Sequence, residues 1–225
     1  MKIIVTGATG MVGAEVVRQA ILDKDISEIT CIVRKPMELN HPKIKTILHQ
    51  NFLDYSGLED VFKNNDACLW CLGISQTQVT KEQYVVITYD YTIAAANAMV
   101  KTNPNLTFMF LSGQGADNSE QSKTIFARIK GKTENALLKL PFKKLFNVRP
   151  AGIKPIHKNP NTALANKIMI PLFPIFEIIT PSFVIASDVL AKVMLHITKN
   201  GYNKTTIENK ELKEIYKSGI NRHLS

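Results

Sequence analysis

The feature that most constrains the fold is a turn with three regularly spaced glycines near the start of the chain. A β-branched apolar run, residues 2–6, leads into this GxxGxxG turn, and a segment with helical periodicity follows it. Gly7 permits a tight turn, Gly10 lets a backbone approach a pyrophosphate, and Gly13 lets the helix pack closely on the strand. The helix N-terminus adds free N–H groups and partial positive charge. The predicted phosphate-binding residues are Gly7, Thr9, Gly10, Met11, Val12 and Gly13.

Strand-like and helix-like segments alternate over the first two thirds of the chain. This order predicts an α/β fold with a doubly wound parallel sheet of the Rossmann type. We expect a single domain, 1–225, in which residues 1–150 form the dinucleotide-binding core. The predicted strands cover residues 2–6, 28–33, 45–48, 66–72, 106–111 and 144–148, and the predicted helices cover residues 12–22, 58–64, 81–101 and 124–140.

Prolines become frequent from residue 150 onward, at positions 150, 155, 160, 171, 174 and 181. Two more helices are predicted, over residues 187–198 with Ser187 as a candidate cap, and over residues 208–217. This part is too short and too interrupted for a core of its own. We interpret 151–225 as a small C-terminal cap over the carboxyl ends of the strands, where open α/β sheets bind ligands. The apolar segment 168–184 could instead be a subunit contact, which leaves a homodimer open.

The residues after the second predicted strand bear on the choice of cofactor. An NAD-selective site places an acidic residue here to bind the ribose 2′-hydroxyl, about 20 residues beyond the glycines. This chain has Arg34 and Lys35 instead. Because an arginine can pair with a 2′-phosphate that an acid would repel, the sequence favours NADP(H) over NAD(H).

Three further strand ends are predicted to complete the cofactor groove. We expect the residues after the third strand to flank the adenine, Gly73 to admit the cofactor closely, and Ser112 to face the nicotinamide. These residues are Asn51 and Phe52 after the third strand, Cys71, Leu72 and Gly73 after the fourth, and Ser112 after the fifth.

Charge and cysteine content exclude several other classes of protein. The net charge is +9, but lysines and arginines are scattered and aromatic-basic motifs are absent, so no nucleic-acid partner is expected. Cys68 and Cys71 lie on a predicted strand, where positions three apart face opposite sides, so no metal or redox site is predicted. Prolines interrupt the apolar stretch 168–181, and no membrane span is expected. We expect a soluble cytoplasmic protein.

Several segments together resemble the atypical short-chain dehydrogenase/reductase family, and within it the Tat-interacting-protein-like group, which is related to the NAD-dependent epimerases. The resemblance covers about residues 1–155 and implies NAD(P) binding, with Lys130, Pro150 and Ile153 added to the cofactor site. The segments are the glycine turn, Val-Arg-Lys at 33–35, Asp-Tyr at 90–91, LSGQGAD at 111–117, IKGKTE at 129–134 and VRPAGI at 148–153.

The resemblance also implies a catalytic Tyr-x-x-x-Lys pair on one helix face. Lysine would lower the tyrosine pKa, so that the phenol can exchange a proton with the substrate as hydride moves. Lys130 is present, but Phe126 stands at the tyrosine position. The predicted catalytic residues are therefore Lys130 and Ser112, and Tyr84 and His157 are candidate replacements for the missing acid.

Three functions remain open on the sequence alone. The first is an NADP(H)-dependent oxidoreductase that acts on a small carbonyl-type substrate. The second is a non-catalytic protein that senses NADP(H) and acts through a protein partner, since the groove is intact and the catalytic pair is not. The third is a nucleotide-sugar epimerase or dehydratase, which the missing tyrosine and the short chain disfavour.

Overall fold

The computed structural model describes residues 1–157 and 183–220. Among these residues, seven parallel strands form one sheet in the order β3-β2-β1-β4-β5-β6-β9, and β7 and β8 form a separate parallel pair. The predicted doubly wound α/β sheet is confirmed. The strands are β1 Lys2–Thr6, β2 Glu28–Val33, β3 Ile44–Leu48, β4 Ala67–Trp70, β5 Thr107–Leu111, β6 Lys144–Arg149, β7 Gly152–Lys154, β8 Val184–Ala186 and β9 Thr206–Glu208.

Helices cover both faces of the sheet, and each face has its own apolar core. One core contains side chains from α1, α6 and α7, and the other contains side chains from α2, α4 and α5. None of the described helices is long and apolar enough to cross a membrane. The helices are α1 Met11–Leu22, α2 Glu59–Lys63, α3 Lys81–Val85, α4 Tyr91–Thr102, α5 Ile125–Leu138, α6 Ser187–Asn200 and α7 Asn209–Ile215, with π-helical turns at Val86–Asp90 and Tyr216–Ile220.

Strand β4 shows how alternation distributes side chains between the two cores. Leu69 contributes to the core on the α1 side, and Cys68 and Trp70 contribute to the opposite core. Cys71 packs against the α1 side. The two cysteines of the C-L-W-C sequence therefore face opposite sides of the sheet, as predicted. They cannot bind one metal ion together or act as a redox pair.

The described part of the chain after residue 150 extends the sheet and covers one of its faces. Helix α6 packs on α1, and β9 extends the sheet by pairing with β6. Ser187 is not the cap of α6: Ala186 occupies that position, and the Ser187 hydroxyl accepts a hydrogen bond from the Ile156 N–H at 3.1 Å. Residues 158–182, and with them most of the apolar segment 168–184, lie outside the described residues.

The predicted long helix over residues 81–101 is three consecutive elements. Thr80 begins it with a capping box, in which its hydroxyl accepts from the Gln83 N–H. A π-helical turn at Val86–Asp90 then separates α3 from α4. Such turns are frequent at functional sites, and this one packs against α5, the helix that carries Phe126 and Lys130.

Gly131 provides a test of the packing between α5 and the loop that follows β5. A Cβ at this position would overlap the carbonyl of Asp117 and lie 2.8 Å from the Asn118 nitrogen. Because these are backbone atoms, Gly131→Ala should lower the free energy of unfolding by about 3 kcal/mol, measured by urea denaturation.

The matched control is Gly73→Ala, since a Cβ at Gly73 meets no atom within 4 Å. Its effect should stay within about 0.5 kcal/mol. Equal effects of the two substitutions would contradict the close packing of α5 on the loop.

Candidate functional site

The glycine turn joins β1 to α1 and has the geometry of an anion cradle. Gly7 has a φ of 64°, and a Cβ there would lie 2.5 Å from the Cys71 carbonyl oxygen, so a side chain is excluded by conformation and by space. The Gly10 N–H donates to the Gly7 carbonyl at 2.8 Å, which closes the turn. A Cβ at Gly13 would overlap the Gly7 carbonyl. The turn therefore depends on glycine at both of its outer positions.

Helix α1 begins without a side-chain cap. Gly10 is its N-cap residue, and its first turn contains no acidic residue. The first-turn N–H groups of a helix have no partner within the helix, and they attract anions. Thr9 is exposed and Met11 is half-buried, whereas the Val12 side chain is buried in the core. Of Val12, only the backbone can therefore contribute to a phosphate site.

Arg34 and Lys35 follow β2 at the same edge of the sheet. Both are exposed, and neither forms an ion pair with any of the described residues. The Gln50 side-chain amide donates to the Arg34 carbonyl at 2.6 Å, which ties this loop to the end of β3. Two cations thus directly follow β2, where a dinucleotide places its adenosine ribose.

The residues after β3 differ in their surroundings. Asn51 is exposed, and its side-chain oxygen accepts from the Leu53 N–H at 3.1 Å. Phe52 was expected to flank the adenine, but it is only 3% exposed and packs against His49, Tyr55 and Tyr91. The Phe52 ring therefore belongs to the core, where it packs below the surface of the sheet edge.

The residues after β4 lie beside the glycine turn. The Leu72 N–H donates to the Thr6 hydroxyl at 3.3 Å, and the Cys71 carbonyl adjoins Gly7. The surroundings of Gly73 are open. Burial raises the pKa of the Cys71 thiol to about 12, so it stays protonated at neutral pH.

Ser112 follows β5. The sequence predicts that its hydroxyl faces an open groove, but in the structure the hydroxyl is buried. It donates to Glu134 Oε1 at 2.5 Å, and both residues are buried. Arg149, at the end of β6, pairs with the same carboxylate and also with Glu208 at 2.9 Å. The carboxylates hold the pKa of Arg149 above its usual value. Ser112 is therefore a positioning residue, because its hydroxyl is committed to this network.

The Glu134–Arg149 pair was not identified as part of the site from the sequence. Both residues lie within the segments 129–134 and 148–153, which carry the family resemblance. The presence of a glutamate in one of these segments and an arginine in the other is the signal that could have indicated a buried ion pair. Asn118 adds to the network, since its side-chain amide contacts both Glu134 and Arg149.

Lys130 lies on α5 and reaches the end of β5. It is 8% exposed, and its ammonium donates to the Leu111 carbonyl at 2.7 Å and lies 4.5 Å from the centre of the Phe110 ring. Burial lowers the pKa of Lys130 to about 8, although Glu134 opposes this shift. The lysine is thus held at the edge of the sheet as a largely desolvated cation.

Phe126 lies one helical turn before Lys130, and its ring points at Gly113. A Cβ on Gly113 would lie 2.6 Å from Cζ of the ring and farther from both Cε atoms, at 3.3 and 3.6 Å. The Phe126 N–H donates to the Gln76 side chain at 3.1 Å, which links α5 to the loop after β4. A hydroxyl on this ring would project into the space beside Gly113.

Of the two candidate replacements for the missing phenol, one is buried and the other is paired with a carboxylate. Tyr84 is 1% exposed, and burial raises the pKa of its phenol to about 12. His157 pairs with Glu15 of α1 at 2.9 Å.

Pro150 and Ile153, both expected in the cofactor site, lie at the end of β6 and in β7. The Pro150 carbonyl accepts from the Gln114 N–H at 2.8 Å.

No group of three metal-ligating side chains occurs in the part of the chain that the structure describes. The loops after β1, β2, β4 and β5 nevertheless lie along one edge of the sheet. They present the start of α1 without a side-chain cap, two cations that form no ion pair with the described residues, an open position at Gly73 and the Lys130 ammonium. These residues fit a dinucleotide, which needs a diphosphate cradle next to a cation for a ribose phosphate and a donor at the far ribose.

Known proteins resemble this chain in sequence over about two thirds of its length. Leucinostatins biosynthesis cluster protein T of Purpureocillium lilacinum is 30% identical over 161 residues, which cover 68% of this chain and 58% of that protein. Protein FMP52, mitochondrial, of Candida albicans is 26% identical over 160 residues, which cover 68% of this chain and 67% of that protein. The match therefore spans little more than half the length of the first of these relatives.

Solved structures resemble the chain over nearly its whole length. The PhqB reductase domain from Penicillium fellutanum gives a TM-score of 0.69 at 15% identity and covers 96% of this chain and 69% of that one. UDP-glucuronic acid 4-epimerase from Bacillus cereus, in complex with NAD, gives 0.67 at 15% identity and covers 92% and 76%. These similarities show a shared fold.

A family described as NAD(P)H-binding matches residues 7–138, which include the glycine turn, the Arg34 loop and helix α5. This match covers more than half of the chain and agrees with the geometry of the sheet edge. The chain therefore belongs to the NAD(P)H-binding family.

Proposed function

We propose that this protein is an NADP(H)-dependent oxidoreductase of the atypical short-chain type, acting on a small carbonyl-type substrate. The observation that carries the proposal is the uncapped, glycine-lined start of α1 next to Arg34 and Lys35, the two basic residues that directly follow β2. When bound, the nicotinamide supplies hydride transfer. The chain contributes a diphosphate cradle, cations for the ribose phosphate and the Lys130 ammonium near the nicotinamide ribose.

The neighbours support a redox role but do not specify the substrate. They include a reductase domain, a dTDP-4-dehydrorhamnose reductase from Clostridium acetobutylicum with a TM-score of 0.62, and a UDP-glucuronic acid 4-epimerase with NAD bound. A place in the Tat-interacting-protein-like group is part of this proposal, as is a role in substrate binding for the C-terminal region after residue 150. The cytoplasmic location stays a prediction, since the relative FMP52 is called mitochondrial.

A sensor of NADP(H) that acts through a protein partner is the second candidate. Phe126 against Gly113 favours it, because the position of the usual proton donor is filled by a ring without an exchangeable proton. This function requires unequal affinities for NADPH and NADP⁺ and a partner bound in one state only. Equal partner capture in both states would exclude it.

Charge reversal at Arg34 tests the cofactor preference. Arg34→Glu removes a charge-assisted contact with the 2′-phosphate and should weaken NADPH binding about 10- to 100-fold. The affinity for NADH, which lacks that phosphate, should change by less than about 3-fold. Calorimetric titration of both nucleotides measures the two effects.

Lys139→Glu makes the same change in net charge at an exposed position at the end of α5. It should leave both affinities within about 2-fold of the original protein. Tighter binding of NADH than NADPH by the original protein, or an equal loss of both nucleotides in Arg34→Glu, would refute the preference.

A further inference from the structure

The residues around Phe126 limit the substrates that this site can reduce. Hydride addition to an isolated ketone or aldehyde creates a strongly basic alkoxide, and such reactions depend on a positioned proton donor. Phe126 provides none, and Gly113, which its ring faces, has no side chain. The nearby Ser112 hydroxyl is buried and donates to Glu134. Positions 112, 113 and 126 therefore offer no hydroxyl to a substrate oxygen.

The same residues are suited to a different kind of acceptor. Phe126 is half-buried and presents an aromatic ring, and Phe110 lies beneath the Lys130 ammonium. An ammonium has three N–H donors, and the Leu111 carbonyl takes one of them. A desolvated cation beside an aromatic surface stabilises an anion whose charge is spread over a flat ring.

We propose that the electron acceptor of this protein is a quinone, and this inference rests on the proposed NADP(H)-dependent oxidoreductase function. The quinone gains a hydride, with its two electrons, from NADPH, which becomes NADP⁺. The product is a hydroquinone monoanion whose charge is delocalised, so that no protein hydroxyl has to protonate it in the transition state. Its oxygen then takes one proton from water, and Lys130 stabilises the anion electrostatically.

Comparison of two acceptors tests the substrate class. NADPH oxidation should be at least about 20-fold faster with 1,4-naphthoquinone than with 4-nitrobenzaldehyde, because only the aldehyde needs a proton donor. The quinone rate should change by less than about 1.5-fold in D₂O, since no proton moves in that transition state. A faster aldehyde reaction, a large solvent isotope effect, or NADPH binding without quinone reduction would overturn the proposal.

Lys130→Met and Lys132→Met form a matched pair on helix α5. Lys130→Met should slow quinone reduction about 10- to 100-fold, whereas Lys132, which lies over the Tyr89 ring, should be replaceable without effect. Because burial lowers the pKa of Lys130 to about 8, its ammonium is present below that pH, and the quinone rate should fall as pH rises through it. The Lys130→Met variant should not show this fall in rate with rising pH.

A binding measurement separates this inference from the function on which it rests. The anion of 2-hydroxy-1,4-naphthoquinone resembles the hydroquinone product, and calorimetry should show about 10-fold weaker binding to Lys130→Met than to Lys132→Met, both saturated with NADP⁺. Equal binding by the two variants would refute the role of Lys130. Failure of the original protein to bind NADPH or NADP⁺ would instead refute the oxidoreductase proposal itself.

Discussion

A backbone contact between the Gly7 turn and the end of strand β4 is the constraint on which the rest of the site depends. Gly7 has a φ of 64°, and the Cys71 carbonyl occupies the space of its missing Cβ. This contact fixes where α1 begins, and so where its free N–H groups point. Because β1, β2, β4 and β5 are parallel neighbours, their following loops meet at that same edge.

The buried ion pair between Glu134 and Arg149 fixes the part of the sheet edge that follows β5 and β6. Glu134 is fully buried, and Arg149 and Ser112 supply the partners that offset its desolvation. Such a pair adds little net stability relative to apolar residues, but it specifies one arrangement of the groups around it. Here it joins α5, the loop after β5 and the end of β6, and Glu208 extends it to β9. The position of Lys130 follows from this anchoring.

Local patterns predicted the sheet well because each strand and turn carries its own signal. The tight turn at Gly7 and the alternation of side chains in β4 depend only on neighbouring residues, and the structure confirms both. Strand β9 has three residues and exists only through pairing with β6, so no local pattern indicates it. The same holds for the π-helical turn at Val86–Asp90, because a single turn with i→i+5 hydrogen bonds has no residue pattern of its own.

The site was predicted less completely, because side-chain partners come from distant parts of the chain. The sequence placed Ser112 at a strand end but could not show that its hydroxyl turns to Glu134, 22 residues later. Phe52 follows a strand as expected, yet three aromatic neighbours draw its ring into the core. The substitution at Phe126 was visible, whereas its fit against Gly113 depends on the tertiary structure.

The most direct measurement of the central claim is the change in backbone amide NMR signals as NADPH is added. The largest shifts should fall on residues 11–13, at the start of α1, because their N–H groups bind the diphosphate. The Arg34 amide should shift with NADPH and much less with NADH. Unchanged signals at residues 11–13 with saturating nucleotide would contradict diphosphate binding at the start of α1.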